Sequence, residues 1–236
     1  MKGSLAAAAI FTILQFNTLV SDGQEMVKET RSVRDFDRVS FGVAGSLYIM
    51  TGPEFRLEIE GDRRVVGNTE IQVRDGRLVI RNLNNNFGFR GDQKVIINLT
   101  MPAISGIAVS GSGVAEIMDA VSADGLNLGV SGSGKLKVPS VEADRLECSI
   151  SGSGDIIIEG RGSVDDAEIS ISGSGSYTGE LTEIDHLLVK VSGSGSCYCN
   201  AGDSLEASIS GSGSIYYSGN PKINARVSGS GKVRSR

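Results

Sequence analysis

Apolar residues alternate with polar ones through most of the second half of the chain. They fall in triplets such as Leu126-x-Leu128-x-Val130, Leu146-x-Cys148-x-Ile150, Ala167-x-Ile169-x-Ile171, Leu187-x-Val189-x-Val191, Leu205-x-Ala207-x-Ile209 and Ile223-x-Ala225-x-Val227. A period of two is the period of a strand with one buried face. Each triplet runs into the same tetrapeptide, Ser-Gly-Ser-Gly, which starts at Ser110, Ser131, Ser151, Ser172, Ser192, Ser210 and Ser228, at intervals of 21, 20, 21, 20, 18 and 18 residues. After most copies alternation resumes, as in Ala115-x-Ile117, Leu136-x-Val138, Ile156-x-Ile158, Cys197-x-Cys199 and Ile215-x-Tyr217. Gly/Ser tracts are the usual composition of flexible linkers, but a linker carries no such register. A repeat of about 20 residues built from strands predicts a solenoid, whose coils bury their apolar faces only against one another.

The tetrapeptide itself carries a steric prediction. Counting parity from Val109 as though the strand ran straight places both glycines of each unit on the core side and both serines outside. Gly weakens a strand, so its recurrence calls for a place where the coil wall approaches the opposing wall or turns a corner, and where even a methyl would not fit. The structural glycines on this reading are Gly111, Gly132, Gly152, Gly173, Gly193, Gly211 and Gly229. The candidate surface ladder is Ser112, Ser133, Ser153, Ser174, Ser194, Ser212 and Ser230, repeating at the strand spacing of ~4.8 Å over a rod on the order of 34 Å.

The first half is strand-rich without the tetrapeptide. Val39-x-Phe41-x-Val43, Leu47-x-Ile49 and Phe55-x-Leu57-x-Ile59 alternate, and Asp75-Gly76 between two apolar runs (71–80) is a strong hairpin signal. A further strand spans 94–101 and closes at Pro102. The segment from Val43 to Leu47 reads as a decayed copy of the repeat. Residues 82–93 read as a surface loop, and its Arg90-Gly91-Asp92 as a polar Gly turn. No segment holds apolar residues at helical spacing for three turns, so no helix is expected beyond the N-terminus.

Residues 1–23, with Lys2 followed by an Ala-rich apolar run, read as a secretory signal peptide. Residues 24–33 follow as a polar linker and 34–236 as a single β-helix domain, irregular over 34–105 and regular over 106–236. An exported location follows, in the periplasm, at the outer-membrane surface or outside the cell. No transmembrane span is expected in the mature chain.

Composition narrows the function. The chain of 236 residues has 5% aromatic residues and no Trp, which suits a thin stack lined by Val, Ile, Leu and Ala. A net charge of −5 and a pI near 5.0 argue against a nucleic-acid partner. Cys148, Cys197 and Cys199 are too few for a disulfide framework and sit at core positions, where they read as small buried apolar groups. The places after the tetrapeptides hold Val114, Lys135, Asp155, Ser176, Ser196, Ser214 and Lys232, which is no acidic column for catalysis or calcium. Asp165-Asp166, Glu183-x-Asp185 and the single histidine, His186, read as turn residues. No catalytic, cofactor or metal site is expected.

The order of Arg31-x-Val33-x-x-Phe36-Asp37, Asp75-Gly76-x-Leu78-Val79-Ile80, Met101-Pro102 and serial Ser-Gly-Ser-Gly units resembles the head GIN domain family of auto-transporter adhesins over about residues 31–236. The resemblance implies a right-handed parallel β-helix of the pectin-lyase-like kind, a family found largely in Bacteroidetes-type bacteria, no established catalytic site and a role in adhesion. The expectation is a non-enzymatic exported surface protein with glycans or cell-surface and matrix components as partners. A polysaccharide lyase or hydrolase on the same scaffold is the alternative. Self-association through exposed coil ends is a further expectation, since free strand edges invite pairing.

Overall fold

The computed structural model describes residues 19–21, 24–83 and 94–236. Among these the chain forms β1 (Leu19–Ser21), β2 (Gln24–Arg31), β3 (Arg38–Gly42), β4 (Gly45–Thr51), β5 (Arg56–Asp62), α1 (Arg63–Gly67), β6 (Thr69–Arg74), β7 (Arg77–Asn82) and β8 (Val95–Met101). The repeat region follows as β9 (Gly106–Gly111), β10 (Val114–Ile117), β11 (Val121–Gly132), β12 (Lys135–Val138), β13 (Val141–Gly152), β14 (Asp155–Ile158) and β15 (Gly162–Gly173). The last strands are β16 (Ser176–Gly193), β17 (Ser196–Gly211), β18 (Ser214–Ser218), β19 (Lys222–Gly229) and β20 (Lys232–Ser235). They stack as a β-solenoid of about 6 turns with ~20 residues per turn.

Each regular coil has three walls. The front wall is the strand that precedes the tetrapeptide, stacked in parallel as β9, the ends of β11, β13, β15, β16 and β17, and β19. The side wall follows the tetrapeptide and runs through β10, β12, β14, the starts of β16 and β17, β18 and β20. A short third wall is made by the starts of β11, β13 and β15 and the middle parts of β16 and β17. Inside, the triplets stack like on like, as in Leu126 on Leu146 and Val130 on Ile150, and these side chains are at most 2% exposed. Burying such columns is the main stabilising term, at roughly 1.5–3 kcal/mol per large aliphatic side chain.

The tetrapeptide turns the corner between front and side walls, and its two glycines do different things there. The first glycine has positive φ in every unit, from 88° at Gly111 to 123° at Gly211. Straight-strand parity therefore fails at that residue, and Gly111, Gly132, Gly152, Gly173, Gly193, Gly211 and Gly229 lie at the partly exposed corner rather than in the interior. The second glycine is buried and faces the core: a Cβ on Gly154 would sit 2.4 Å from the Gly134 carbonyl oxygen and 2.4 Å from Val130 Cγ1. The corner is also a hydrogen-bonded stack, with Ser153 N–H donating to Gly132 O at 2.8 Å and Asp155 N–H to Gly134 O at 3.1 Å.

The first half belongs to the same stack, in an order that differs from the order in sequence. β3 lies between β7 and β9 on the front wall, and β4 between β8 and β10 on the side wall. The coil of β3 and β4 is thus sandwiched between a coil formed later, β7 and β8, and the regular repeat. Gly45 in β4 stands one coil below Gly113, where the decayed repeat was expected. The Asp75-Gly76 turn joins β6 and β7 as an antiparallel hairpin, with φ of 49° and 70°, the pair of positive values that a two-residue turn of this twist needs.

Two expectations are corrected here. The polar segment 24–33 is not a linker: β2 pairs antiparallel with β5 and buries Val27. Its backbone pairing and one apolar contact suffice at a sheet edge, and neither leaves an alternating pattern in the sequence. A helix exists outside the N-terminus: the five-residue α1, whose first turn is capped by Asp62 accepting from Arg64 N–H at 2.9 Å and whose Val65 and Val66 are buried. One turn and a half is too short to show helical periodicity. Of the expected leader over 1–23, residues 1–18 and 22–23 lie outside the described residues, while β1 pairs with β2. The tripeptide Arg90-Gly91-Asp92 also lies outside them. Among the described residues no helix is long and apolar enough to cross a membrane.

Candidate functional site

The outward positions of the front wall form two adjoining depressions, of about 350 and 540 Å³, that share Glu147 and follow the stack upward. The lower one exists because its floor is small: Gly106, Ala108 and Gly129 project almost nothing from the sheet. The upper one lies where the front wall meets the third wall, beside Arg145, Asp166, His186 and Ser204. Together they make a trough that crosses the strands instead of following them.

Two columns of side chains line it, each held in parallel register. One runs Asn127, Glu147, Glu168, Leu188, Glu206, and the other runs Arg145, Asp166, His186, Ser204. Neighbours within a column are separated by the strand spacing of ~4.8 Å. Glu168 is held by Lys190 at 2.7 Å, and the His186 Nδ1 and Ser204 hydroxyl share a hydrogen bond at 3.1 Å. At the lower end Arg38 and Arg77 stand side by side, and Arg38 donates to the Asp75 carbonyl at 2.6 Å. The trough is therefore cationic at its lower mouth and carboxylate-rich above.

Parallel register decides where the other sequence candidates lie. Ser112, Ser133, Ser153, Ser174, Ser194, Ser212 and Ser230 are exposed along the corner beside the front wall. The first serines of the units, from Ser110 to Ser228, form a second exposed column at the edge of the front wall. Asp155 pairs across the side wall with Lys135 at 3.2 Å. Cys148, Cys197 and Cys199 are free and buried around Tyr177, and burial pushes the Cys148 and Cys197 thiols well above their ordinary range. No group of three or more metal-ligating side chains occurs among the described residues.

The absence of an acidic column is expected at the positions after the tetrapeptides; inside the triplets, which that expectation does not cover, Glu147, Glu168 and Glu206 each follow the first apolar residue, with Leu188 between the last two. Alternation marks those positions as outward, so the signal was present in the x of each triplet. His186 and Asp166, expected in turns, lie on paired strands and line the trough. Arg38 and Arg77 left no local signal, because their adjacency depends on the insertion of the β3 coil above β7.

A family model described as "Putative auto-transporter adhesin, head GIN domain" matches residues 35–221. The chain belongs to this family. The head GIN fold is shared with solved structures: a "putative adhesin" of Bacteroides fragilis, 24% identical, has a TM-score of 0.84 over 89% of this chain and 97% of that one. A "putative adhesin" of Parabacteroides distasonis, 24% identical, has a TM-score of 0.73 over 91% of this chain and 98% of that one. A "Putative lipid binding protein" of the same species, 22% identical, has a TM-score of 0.70 over 91% and 98%. No curated protein matches the sequence. At these identities the likeness establishes the head GIN fold alone, and the function has to be argued from the trough.

Proposed function

We propose that this head GIN protein is an exported, non-enzymatic surface protein that binds an extended polysaccharide along the trough of its front wall. The carrying observation is that the two depressions meet at Glu147 and together reach across successive coils from Arg38 to Glu206. A polymer laid across the strands meets a new set of polar groups at each coil, so weak contacts add along its length. Carboxylates, guanidinium groups and the Asn127 amide are suited to hydroxyl-bearing sugars, and the exposed serine columns extend the polar surface beside them. The apolar leader read over residues 1–23 supports export, and the family's adhesin description supports a surface role.

Glu147 and Glu168 are neighbours in register, which is the observation that favours hydrolysis instead. A glycosidase needs one carboxyl kept protonated opposite an ionised one. Glu168 is already engaged by Lys190 at 2.7 Å. The test is a broad glycan and matrix-protein array probed with the wild type and with Glu147→Gln/Glu168→Gln. Glycan binding that weakens by about tenfold in the double variant, as expected for the loss of two charge-assisted contacts, is the predicted result. Absence of binding to every glycan, or release of new reducing ends from a bound one, would reject it.

A further inference from the structure

The two ends of the stack differ. At the lower end the outer edges of the first coil are covered, β7 by β6 and β8 by β5. At the upper end, among the described residues, β19 pairs only with β17, and β20 only with β18. The core columns nonetheless continue into β19, with Ile223 above Leu205 and Val227 above Ile209. Ile223 and Val227 are 47% and 44% exposed, where Leu205 and Ile209 are 1% and 2%. Two free strand edges and an uncovered apolar core thus share one surface.

The same surface is strongly cationic. Residues 222–236 hold Lys222, Arg226, Lys232, Arg234 and Arg236 and no Asp or Glu, in a chain whose net charge is −5. Arg236 is taken up by Glu180. Among the described residues Lys222, Arg226, Lys232 and Arg234 have no ion pair. Parity keeps Arg226, Lys232 and Arg234 on the outward side of their strands, in line with Ser208, Ser214 and Tyr216 below.

These features select among occupants. At the lower end, among the described residues, the strands with an unpaired edge are β1 and β6, both joined antiparallel to their neighbours, so a second copy stacked head to tail could not continue the parallel columns there. Two copies meeting upper end to upper end would bring two sets of unpaired cations together with no carboxylate in either segment, and like charges juxtaposed at an interface cost affinity. An extended segment with apolar residues at alternate positions and acidic residues between them matches both requirements. Its apolar side chains would cover Ile223, Ala225 and Val227, and its carboxylates would lie beside Arg226.

We propose that the upper end of the solenoid is a docking edge for an acidic, alternating segment of a partner protein, which adds to β19 as the strand of a further coil through backbone hydrogen bonds. This edge lies apart from the trough and does not depend on the trough's ligand. The chain itself contains a strand of the required kind: β15, with the sequence GSVDDAEISISG, stacks on β13 and carries Asp165, Asp166 and Glu168.

A synthetic peptide of that sequence is the probe, titrated into the full-length protein and followed by calorimetry and hydrogen exchange. Binding should slow exchange in β19 and weaken about tenfold between ~50 and ~300 mM salt, because the matching charges are exposed and screened. Lys222→Glu/Arg226→Glu should weaken it about tenfold, the sum of two exposed pairs reversed, with an unchanged melting temperature. The same peptide with lysine in place of its three acidic residues should not bind. Equal binding of the lysine peptide, no slowing in β19, or a dimer in sedimentation that Val227→Lys dissociates would each overturn the proposal, the last by showing that a second copy takes the edge.

Discussion

Gly152 and Ser153 are adjacent and carry opposite tolerances. Gly152 has φ of 112°, and a Cβ there would lie 2.5 Å from the Gly132 carbonyl oxygen, so any side chain meets both backbone strain and a backbone clash. Ser153 is exposed at the corner. Gly152→Val should lower stability by about 3 kcal/mol or more, against a change within ~0.5 kcal/mol for Ser153→Val, measured as shifts of the urea midpoint. Similar losses at both would show that the corner does not need its glycine. Tyr177 presents the reverse case: its hydroxyl is fully buried and has no hydrogen-bond partner among the described residues. Tyr177→Phe removes only that oxygen and should raise stability by about 1 kcal/mol, whereas a loss of similar size would reveal a partner for the hydroxyl. Parity along a strand made the inward residues legible one by one. It misassigned the first glycines because a positive φ swings that one residue out at the corner, after which the alternation resumes in phase.

Elements of the lower cap are joined by ion pairs as well as by the buried Val27, Leu57, Ile59, Val65 and Val66. Bonding to Arg56 and then Lys28 holds the Glu58 carboxyl below its usual range, Arg81 does the same for Glu70, and Arg63 for Glu25. These groups connect β2, β5, α1, β6 and β7. A lowered folded value means that the contribution to stability is fully present above the ordinary glutamate value of ~4.3 and is lost as the pH falls through the lowered value. Hydrogen exchange corrected for its intrinsic pH dependence should therefore show β2, β5 and β6 losing protection as the pH falls below ~4.3 while β13, β15 and β17 stay closed. Opening of the regular coils at the same pH would contradict a cap-specific effect. The hairpin of β6 and β7 was readable because Asp75-Gly76 encodes its own turn. The strand β2 and the helix α1 were not, since each owes its form to a partner, β5 for the one and the Asp62 cap with two buried valines for the other.

The molecule as a whole behaves as a one-dimensional stack, in which each coil is stabilised by the coils directly above and below it. Central coils have two such neighbours and the coil of β19 and β20 has one, with its apolar side uncovered. Native-state exchange should be fastest in β19 and β20 and slowest around β13 to β16; uniform protection would mean that the upper end is covered in solution. From the sequence alone came the coil period, the strands, the side chains that enter the core and the glycine corner, because each follows from alternation or backbone sterics within some 20 residues. Tertiary structure alone decided the placement of the β3 coil between β7 and β9, the meeting of Arg38 with Arg77, and the continuity of the trough. Those depend on which coil lies on which, and backbone hydrogen bonds between coils are nearly indifferent to the side chains that a sequence displays.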